Sequence, residues 1–201
     1  MNETEALIGK CGFFCGSCPT LRWKRREKAA LATERLLLRQ LTEEDFPEVF
    51  SVLSDPEVMY AWEHGFSEQE ARDWLARTFA RYERDGFGHY AVELQQTGEF
   101  VGMVGAIRET LAGKDLLGIG WMLRKECWGN GYATEAAKAV LNDAFARLGA
   151  EEVIADIRPE NTASCRVAER LGMRPEYEVV KQYRGKDMPH IVYVIRKDMK
   201  G

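Results

Sequence analysis

The run Trp121-Met-Leu-Arg-Lys-Glu-Cys-Trp-Gly-Asn-Gly-Tyr-Ala-Thr-Glu135 joins a strand-like stretch to a long helix through a loop with two glycines. The first N–H groups of a helix have no intrahelical partner, and the helix dipole adds partial positive charge there. Such a junction is suited to holding an anion, phosphate above all. Gly129 and Gly131 carry no side chain, so a phosphate can approach the backbone closely. The same two glycines also suit a tight strand-to-helix turn that binds nothing. No Gly-Lys-Ser/Thr follows, so the Walker loop is absent. No third glycine stands in the Rossmann place, and the strands before it read as a meander rather than a βαβ unit.

The elements that must position this loop are legible from periodicity. Between Gly131 and Leu148 the apolar residues Ala133, Ala136, Ala137, Val140, Leu141, Ala144, Phe145 and Leu148 form one stripe of helical period, ended by Gly149. His89 to Leu94, Phe100 to Arg108 and Leu116 to Leu123 read as an antiparallel meander with turns at Thr97-Gly98 and Ala112-Gly113. Arg35 to Leu41 reads as a first strand. A helix follows, capped by Thr42 with Asp45 and burying Phe46, Val49, Phe50 and Leu53; Pro47 blurs its start. Ser67 and Glu70 form a capping box for a helix with Ala71, Trp74, Leu75, Phe79 and Tyr82 inward. Val153 to Ile157 reads as a strand. Asn161 caps a helix that stops at Gly172. Glu178 to Tyr183 and Ile191 to Arg196 read as a closing hairpin.

Composition bounds the function classes. The chain has 201 residues, 45% of them hydrophobic and 30% charged, enough for one domain with a full core, with or without an appendage. A net charge of -4 argues against general binding to nucleic-acid phosphates. No apolar run approaches a membrane span, and Met1 to Lys10 holds no signal-peptide core, so a cytoplasmic location is the expectation. The basic run Leu21 to Lys28 reads as a solvated helical face, with a nucleic-acid patch as the alternative. Five cysteines include a crowded trio, Cys11, Cys15 and Cys18. An odd count in a reducing compartment argues against a disulfide framework.

Trp128-Gly-Asn-Gly-Tyr-Ala-Thr-Glu-Ala136 resembles the acetyl-CoA pyrophosphate loop of the GCN5-related N-acetyltransferase superfamily, whose pattern is Gln/Arg-x-x-Gly-x-Gly/Ala. Trp128 stands in its first place, Gly131 in its fourth and Ala133 in its sixth. Trp128 with the following Gly-x-Gly-Tyr-Ala-Thr-Glu-Ala, Asn161-x-x-Ser164, Leu171-Gly172-Met173 and the opening Thr33-Glu-Arg-Leu-Leu-Leu-Arg39 are similar to the subgroup that includes Rim-type ribosomal-protein N-terminal acetyltransferases. The resemblance runs from about residue 33 to 198. It divides the chain into a cysteine-rich extension, 1–32, and an acetyltransferase domain, 33–201.

The resemblance implies an α/β (α+β) fold. Its central sheet is mixed, mostly antiparallel, flanked by helices and splayed between the fourth and fifth strands. It implies acetyl-CoA as co-substrate and a primary amine as acceptor, on a protein N-terminus or a small molecule, attacked directly in a ternary complex. A catalytically weak or inactive acyl-CoA-binding module on the same fold is the alternative. By the same resemblance, the backbone of Met122 and Leu123 pairs with pantetheine. The amides of Gly129, Asn130, Gly131, Tyr132, Ala133 and Thr134 hold the pyrophosphate. Asn161 bonds the pantetheine arm or serves only as a helix cap. Ser164 reaches the thiol end, or is an ordinary polar residue of the first turn. A backbone N–H near Leu123 is the oxyanion donor. Tyr60, Trp62, Glu63 and Trp121, with Met59 and His64 nearby, form walls of the acceptor groove or pack the helical layer.

Two departures stand out. The family's Tyr general acid, seven residues after the Asn, is Ala168 here, which leaves Ser164 as donor to the leaving thiolate, directly or through water. The Glu that many relatives carry before Ile-Gly-Tyr/Trp is Gly118, so Glu93, Glu109 and Asp156 are base candidates or plain surface carboxylates, and water chains are a further route. Cys127 and Cys165 read as small packing residues. Cys11-Gly-Phe-Phe-Cys-Gly-Ser-Cys-Pro19 resembles the opening of a separate family of short cysteine-rich domains. Its three thiols are weak metal candidates, since a closed zinc site wants four ligands; His64, His89, His190 or a dimer mate are possible fourths. The expected partners are the amine acceptor, with no nucleic acid or membrane, in a monomer or homodimer.

Overall fold

A computed structural model describes residues 30–111 and 113–197. Cys11, Cys15, Cys18 and the basic run before Ala30 lie outside the described residues.

The strands are β1 (Leu31–Ala32), β2 (Leu36–Gln40), β3 (His89–Leu94), β4 (Phe100–Leu111), β5 (Lys114–Leu123), β6 (Glu152–Ile157), β7 (Arg174–Tyr183) and β8 (Lys186–Arg196). They form one eight-stranded sheet in the order β1-β2-β3-β4-β5-β6-β8-β7. Every neighbouring pair is antiparallel except β5 with β6. That parallel pair has a single register position, Gly118 opposite Ile154, so the two strands part towards the C-terminal end of β5. The expected splay is there. The short β1, which the sequence reading does not contain, moves it from strands four and five to five and six.

The helices are α1 (Phe46–Leu53), α2 (Glu68–Asp85), α3 (Tyr132–Ala146) and α4 (Thr162–Arg170). The apolar stripe of α3 is buried: Ala136, Ala137, Val140, Leu141, Ala144 and Phe145 pack with Leu117 and Ile119 of β5 and with Val167 and Ala168 of α4. Helices α1 and α2 cover the opposite face through Val49, Val52, Leu53, Ala71, Trp74 and Leu75, with Met103 of β4 and Met122 of β5. Alternation along β5 therefore sends odd-numbered side chains to α3 and α4 and even-numbered ones to α1 and α2.

Local signals account for most boundaries. Ser67 and Glu70 make the anticipated capping box: Glu70 N–H donates to Ser67 Oγ at 3.3 Å and Ser67 N–H to Glu70 Oε2 at 2.8 Å. Pro47 does not delay α1, because a three-residue 3₁₀ turn, Glu43–Asp45, precedes it and Pro47 falls in the first turn, where no N–H is needed. Within α2, Phe79 and Tyr82 are only half-buried, and Thr78 takes a buried place on that face.

His89, at the start of β3, is buried under Trp74 with its Nδ1 unpartnered among the described residues. Burial, with a smaller push from the Arg81 cation, takes its pKa from 6.5 down to about 3. The folded protein holds a neutral imidazole while the unfolded chain takes up a proton below about pH 6.5. The contribution to stability is thus complete above that pH and shrinks as pH falls towards 3. At pH 5 the loss is about 2 kcal/mol. His89→Leu is expected to remove that slope, so the gap in unfolding free energy between wild type and variant should change by this amount between pH 7.5 and 5. A gap independent of pH in denaturant titrations would mean that His89 takes up its proton equally well in the folded and the unfolded chain.

Candidate active site

A cleft of about 1000 Å³ opens where β5 and β6 part and extends to the N-terminus of α3. Gly131 is the N-cap of α3 with φ +78°, and Gly129 has φ +77°, a left-handed backbone that costs a β-carbon-bearing residue about 1–2 kcal/mol. Glu135 N–H donates to Gly131 O at 3.0 Å, so the amides of Tyr132, Ala133 and Thr134 precede the first intrahelical bond. Those three residues and Gly129, Asn130 and Gly131 all line the cleft. Lys138, Arg166 and Arg170 line it too and add cationic side chains. Sequence reasoning missed these three; the signal was the i, i+4 spacing of the two arginines on α4.

The loop is tied down from both sides. Trp128, 44% exposed, donates its indole N–H to Leu123 O at 3.0 Å. Asn130 Nδ2 donates to Trp128 O at 3.1 Å and to Cys127 O at 3.2 Å. Across the sheet, the opening motif supplies a clamp. Thr33 Oγ1 (2.6 Å) and Arg35 N–H (2.9 Å) donate to Glu135 Oε1, and Arg35 Nε donates to Oε2 at 2.7 Å. Arg35 also donates to Asn130 O at 3.0 Å and stacks 4.7 Å over the Tyr132 ring. Partial burial pushes the Glu135 carboxyl up, but the donors from Thr33 and Arg35 outweigh it and hold the group below its ordinary range.

At the other end of the cleft, Asn161 caps α4. Its Oδ1 accepts from Ser164 N–H at 3.0 Å and from the Tyr60 hydroxyl at 2.7 Å, which leaves its amide N–H groups to donate elsewhere. Ser164 Oγ accepts the Trp121 indole N–H at 3.1 Å. A hydroxyl that accepts on one side keeps its own proton for a second partner. Arg124 N–H donates to Val101 O at 2.9 Å, so strand alternation turns the Leu123 N–H away from β4 and the Met122 N–H towards it. Tyr60 and Trp62, 41% and 44% exposed, line the cleft with Trp121, Met122 and Leu123.

Glu63 does not line the cleft. Its φ of +64° closes the Tyr60–Trp62 turn. Its carboxylate pairs with Lys186 at 2.5 Å and Arg158 at 3.3 Å, and these cations hold it below its ordinary range. His64 Nε2 lies 2.8 Å from the Tyr183 hydroxyl, and Trp62 meets the Tyr183 ring edge-on at 5.3 Å. Met59 is core. Of the base candidates, Glu93 is spent on a buried ion pair with Arg39 at 2.7 Å, while Asp156 pairs with Lys181 at 2.5 Å. Ala168 is fully buried, so the place of the family tyrosine faces the core rather than the cleft. Cys127 is buried and Cys165 is half-buried against the main core, as packing residues should be. Among the described residues no group of three or more His, Cys, Asp and Glu is placed to hold a metal.

Free helix amides, cationic side chains and apolar walls line one long chamber beside a parted strand pair, suited to an extended ligand that carries anionic groups. A family model described as an acetyltransferase (GNAT) domain matches residues 35–174. The uncharacterized N-acetyltransferase YnaD of Bacillus subtilis is 31% identical over 147 residues, 73% of this chain and 83% of that protein. A GNAT-family acetyltransferase from Bacillus anthracis superposes with a TM-score of 0.71 at 29% identity, over 84% of this chain and 98% of the other. A candidate ribosomal-protein-serine acetyltransferase from Vibrio cholerae does so at 0.70 and 26%, over 83% and 96%. The chain belongs to the GNAT acetyltransferase family. It is an acyltransferase with acetyl-CoA as co-substrate.

Proposed function

We propose that this enzyme acetylates a primary amine, on a protein N-terminus or a small molecule, in the manner of the Rim-type subgroup. The observation that carries the reading is the parted β5–β6 pair leading straight to the amide cradle of α3. Acetyl-CoA supplies an activated acyl group as a thioester. The amides from Gly129 to Thr134 hold its pyrophosphate, with Lys138, Arg166 and Arg170 adding charge at the rim. Met122 and Leu123 line the pantetheine arm, and the Leu123 N–H, aimed into the gap, is the donor to the developing oxyanion. Asn161 bonds the arm through its amide N–H while its oxygen stays on the helix cap. Ser164, oriented by Trp121, protonates the leaving thiolate. Tyr60, Trp62 and Trp121 bound the acceptor, and Glu63 fixes the turn that carries the first two. The catalytic unit is 33–201, and the cysteine-bearing 1–32 is an extension to it.

A thiol-release assay with acetyl-CoA and a panel of amines, N-terminal peptides and aminoglycosides tests the reading. At least one primary amine should stimulate release. Tight acetyl-CoA binding with no stimulation by any acceptor would make the protein an acyl-CoA-binding module instead.

A further inference from the structure

A primary alkylamine is an ammonium at neutral pH and attacks a thioester only after losing a proton. Glu109 of β4 stands at a place suited to take it. Its register partner on β5 is Leu116, yet its side chain leans along the sheet over Gly118. A β-carbon built at Gly118 would lie 2.1 Å from Glu109 Oε1, so any side chain at 118 would claim the space this carboxylate fills. Gly118 is also the last residue paired with β6 before the strands part. By strand alternation Glu109, Gly118, Gly120 and Met122 share the sheet face that carries α1, α2 and the Tyr60–Trp62 turn. The Glu109 side chain is 19% exposed, so it is both sheltered and reachable.

Its surroundings are charged. Lys181 Nζ of β7 lies 3.3 Å from Oε2 and 2.5 Å from Asp156 Oδ2 of β6, and His190 Nε2 of β8 is 4.0 Å from the same Asp156 oxygen. Arg81 of α2 and Tyr177 of β7 lie within electrostatic range. Burial first, then the Asp156 charge, push the Glu109 carboxyl up; Lys181 pulls it part of the way back. A carboxylate with a raised pKa is the stronger base.

We propose that Glu109, reaching across the bare Gly118 from the neighbouring strand, is the proton acceptor for the incoming ammonium. The assignment rests on the N-acetyltransfer reading above. From Gly118 to Met122 is four residues, on the order of 13 Å along a strand, so the proton reaches Glu109 by a relay rather than directly; the His89 ring, 3.4 Å from the β-carbon position of Gly120, stands beside that route. The ammonium N–H breaks, its proton reaches Glu109, and the freed electron pair forms the bond to the acyl carbon. As the C–S bond breaks, the sulfur keeps its electron pair and takes a proton from Ser164, which recovers one from the acylated nitrogen. Glu109 returns its proton to solvent, so the turnover releases one proton in all.

The test is kcat/KM against pH for the wild type, Glu109→Gln, Lys181→Met and Asp156→Asn on one accepted amine, with acetyl-CoA affinity measured by calorimetry. Glu109→Gln should bind acetyl-CoA as the wild type does, lose about 100-fold in kcat/KM at pH 7, and lose the acidic limb. Lys181→Met removes the cation and should move that limb to higher pH. Asp156→Asn removes the like charge and should move it to lower pH. Full activity in Glu109→Gln, or a limb unmoved in both neighbours, overturns the assignment. If Glu109→Gln fails to fold, the opposed shifts in the other two decide. A wild type that acetylates no amine overturns the underlying reading and this assignment with it, an outcome distinct from an active wild type whose Glu109→Gln is equally active.

Discussion

Gly131→Asp is expected to weaken acetyl-CoA binding on the order of 1000-fold, or about 4 kcal/mol. Three effects add. At φ +78° a β-carbon is strained by about 1–2 kcal/mol. The new carboxylate stands at the helix N-terminus where an anionic ligand must sit, and repels it. It also lies within reach of Arg35, since a β-carbon at 131 would be 3.6 Å from Arg35 Nη2, and so competes with Glu135 for the clamp. Gly131→Ala separates the strain from the charge and should lose about 10-fold. Calorimetric titration with acetyl-CoA, alongside a melting curve for each variant, measures both. Wild-type affinity in a folded Gly131→Asp protein would show that the loop holds no phosphate.

Ser164→Ala is expected to lower kcat on the order of 1000-fold, within the usual range for removal of a positioned general acid, while acetyl-CoA affinity stays within about 2-fold. The ground for this is the Trp121 indole, which fills one lone pair of Ser164 Oγ at 3.1 Å and leaves the hydroxyl proton to be given. The Ser164 N–H to Asn161 Oδ1 bond belongs to the backbone and survives the substitution, so the helix cap and the cleft are kept. Trp121→Phe should lose less, because it removes only the group that orients the hydroxyl. The loss should shrink for an acyl donor with a more acidic thiol, which departs without a proton. An equal loss with both donors would assign Ser164 to binding instead of proton donation.

The acidic limb expected for the Glu109 pathway and the acid sensitivity expected from His89 arise on the same sheet face but report different things. The first follows ionisation of a working carboxylate during turnover. The second follows protonation of an imidazole in the unfolded chain and appears in denaturant titrations without any substrate. Measuring both keeps loss of activity below pH 6 from being read as catalysis when it is unfolding.

The local parts of the cleft are legible in the sequence alone. Gly129, Gly131 and Asn161 announce themselves because a left-handed glycine turn into a helix and a helix cap are local devices, set by dihedrals and amides within a few residues. The stripe on α3 is equally local, and it fixes which way the loop must face. The apolar stretches of β3, β4 and β5 and the turn residues between them suffice for the meander, since hairpin neighbours pair directly.

What escaped the sequence is what depends on residues far apart in the chain. Glu135 looks like an ordinary helix residue until Thr33 and Arg35, about a hundred positions earlier, close on it. The resemblance implies an acceptor-wall place for Glu63, yet its carboxylate pairs with Arg158 and Lys186, nearly a hundred and more positions later in the chain. Glu109 is one of three base candidates in the sequence, but its choice over Glu93 and Asp156 was not legible there: the residue at 118 is glycine, and the group filling its space belongs to the next strand. The glycine turn into α3, the helices and the meander follow from the sequence, because short-range backbone chemistry and periodic burial dictate them. Which charged groups meet follows from the fold instead, because ion pairing across a sheet depends on register and twist, which no local spacing records.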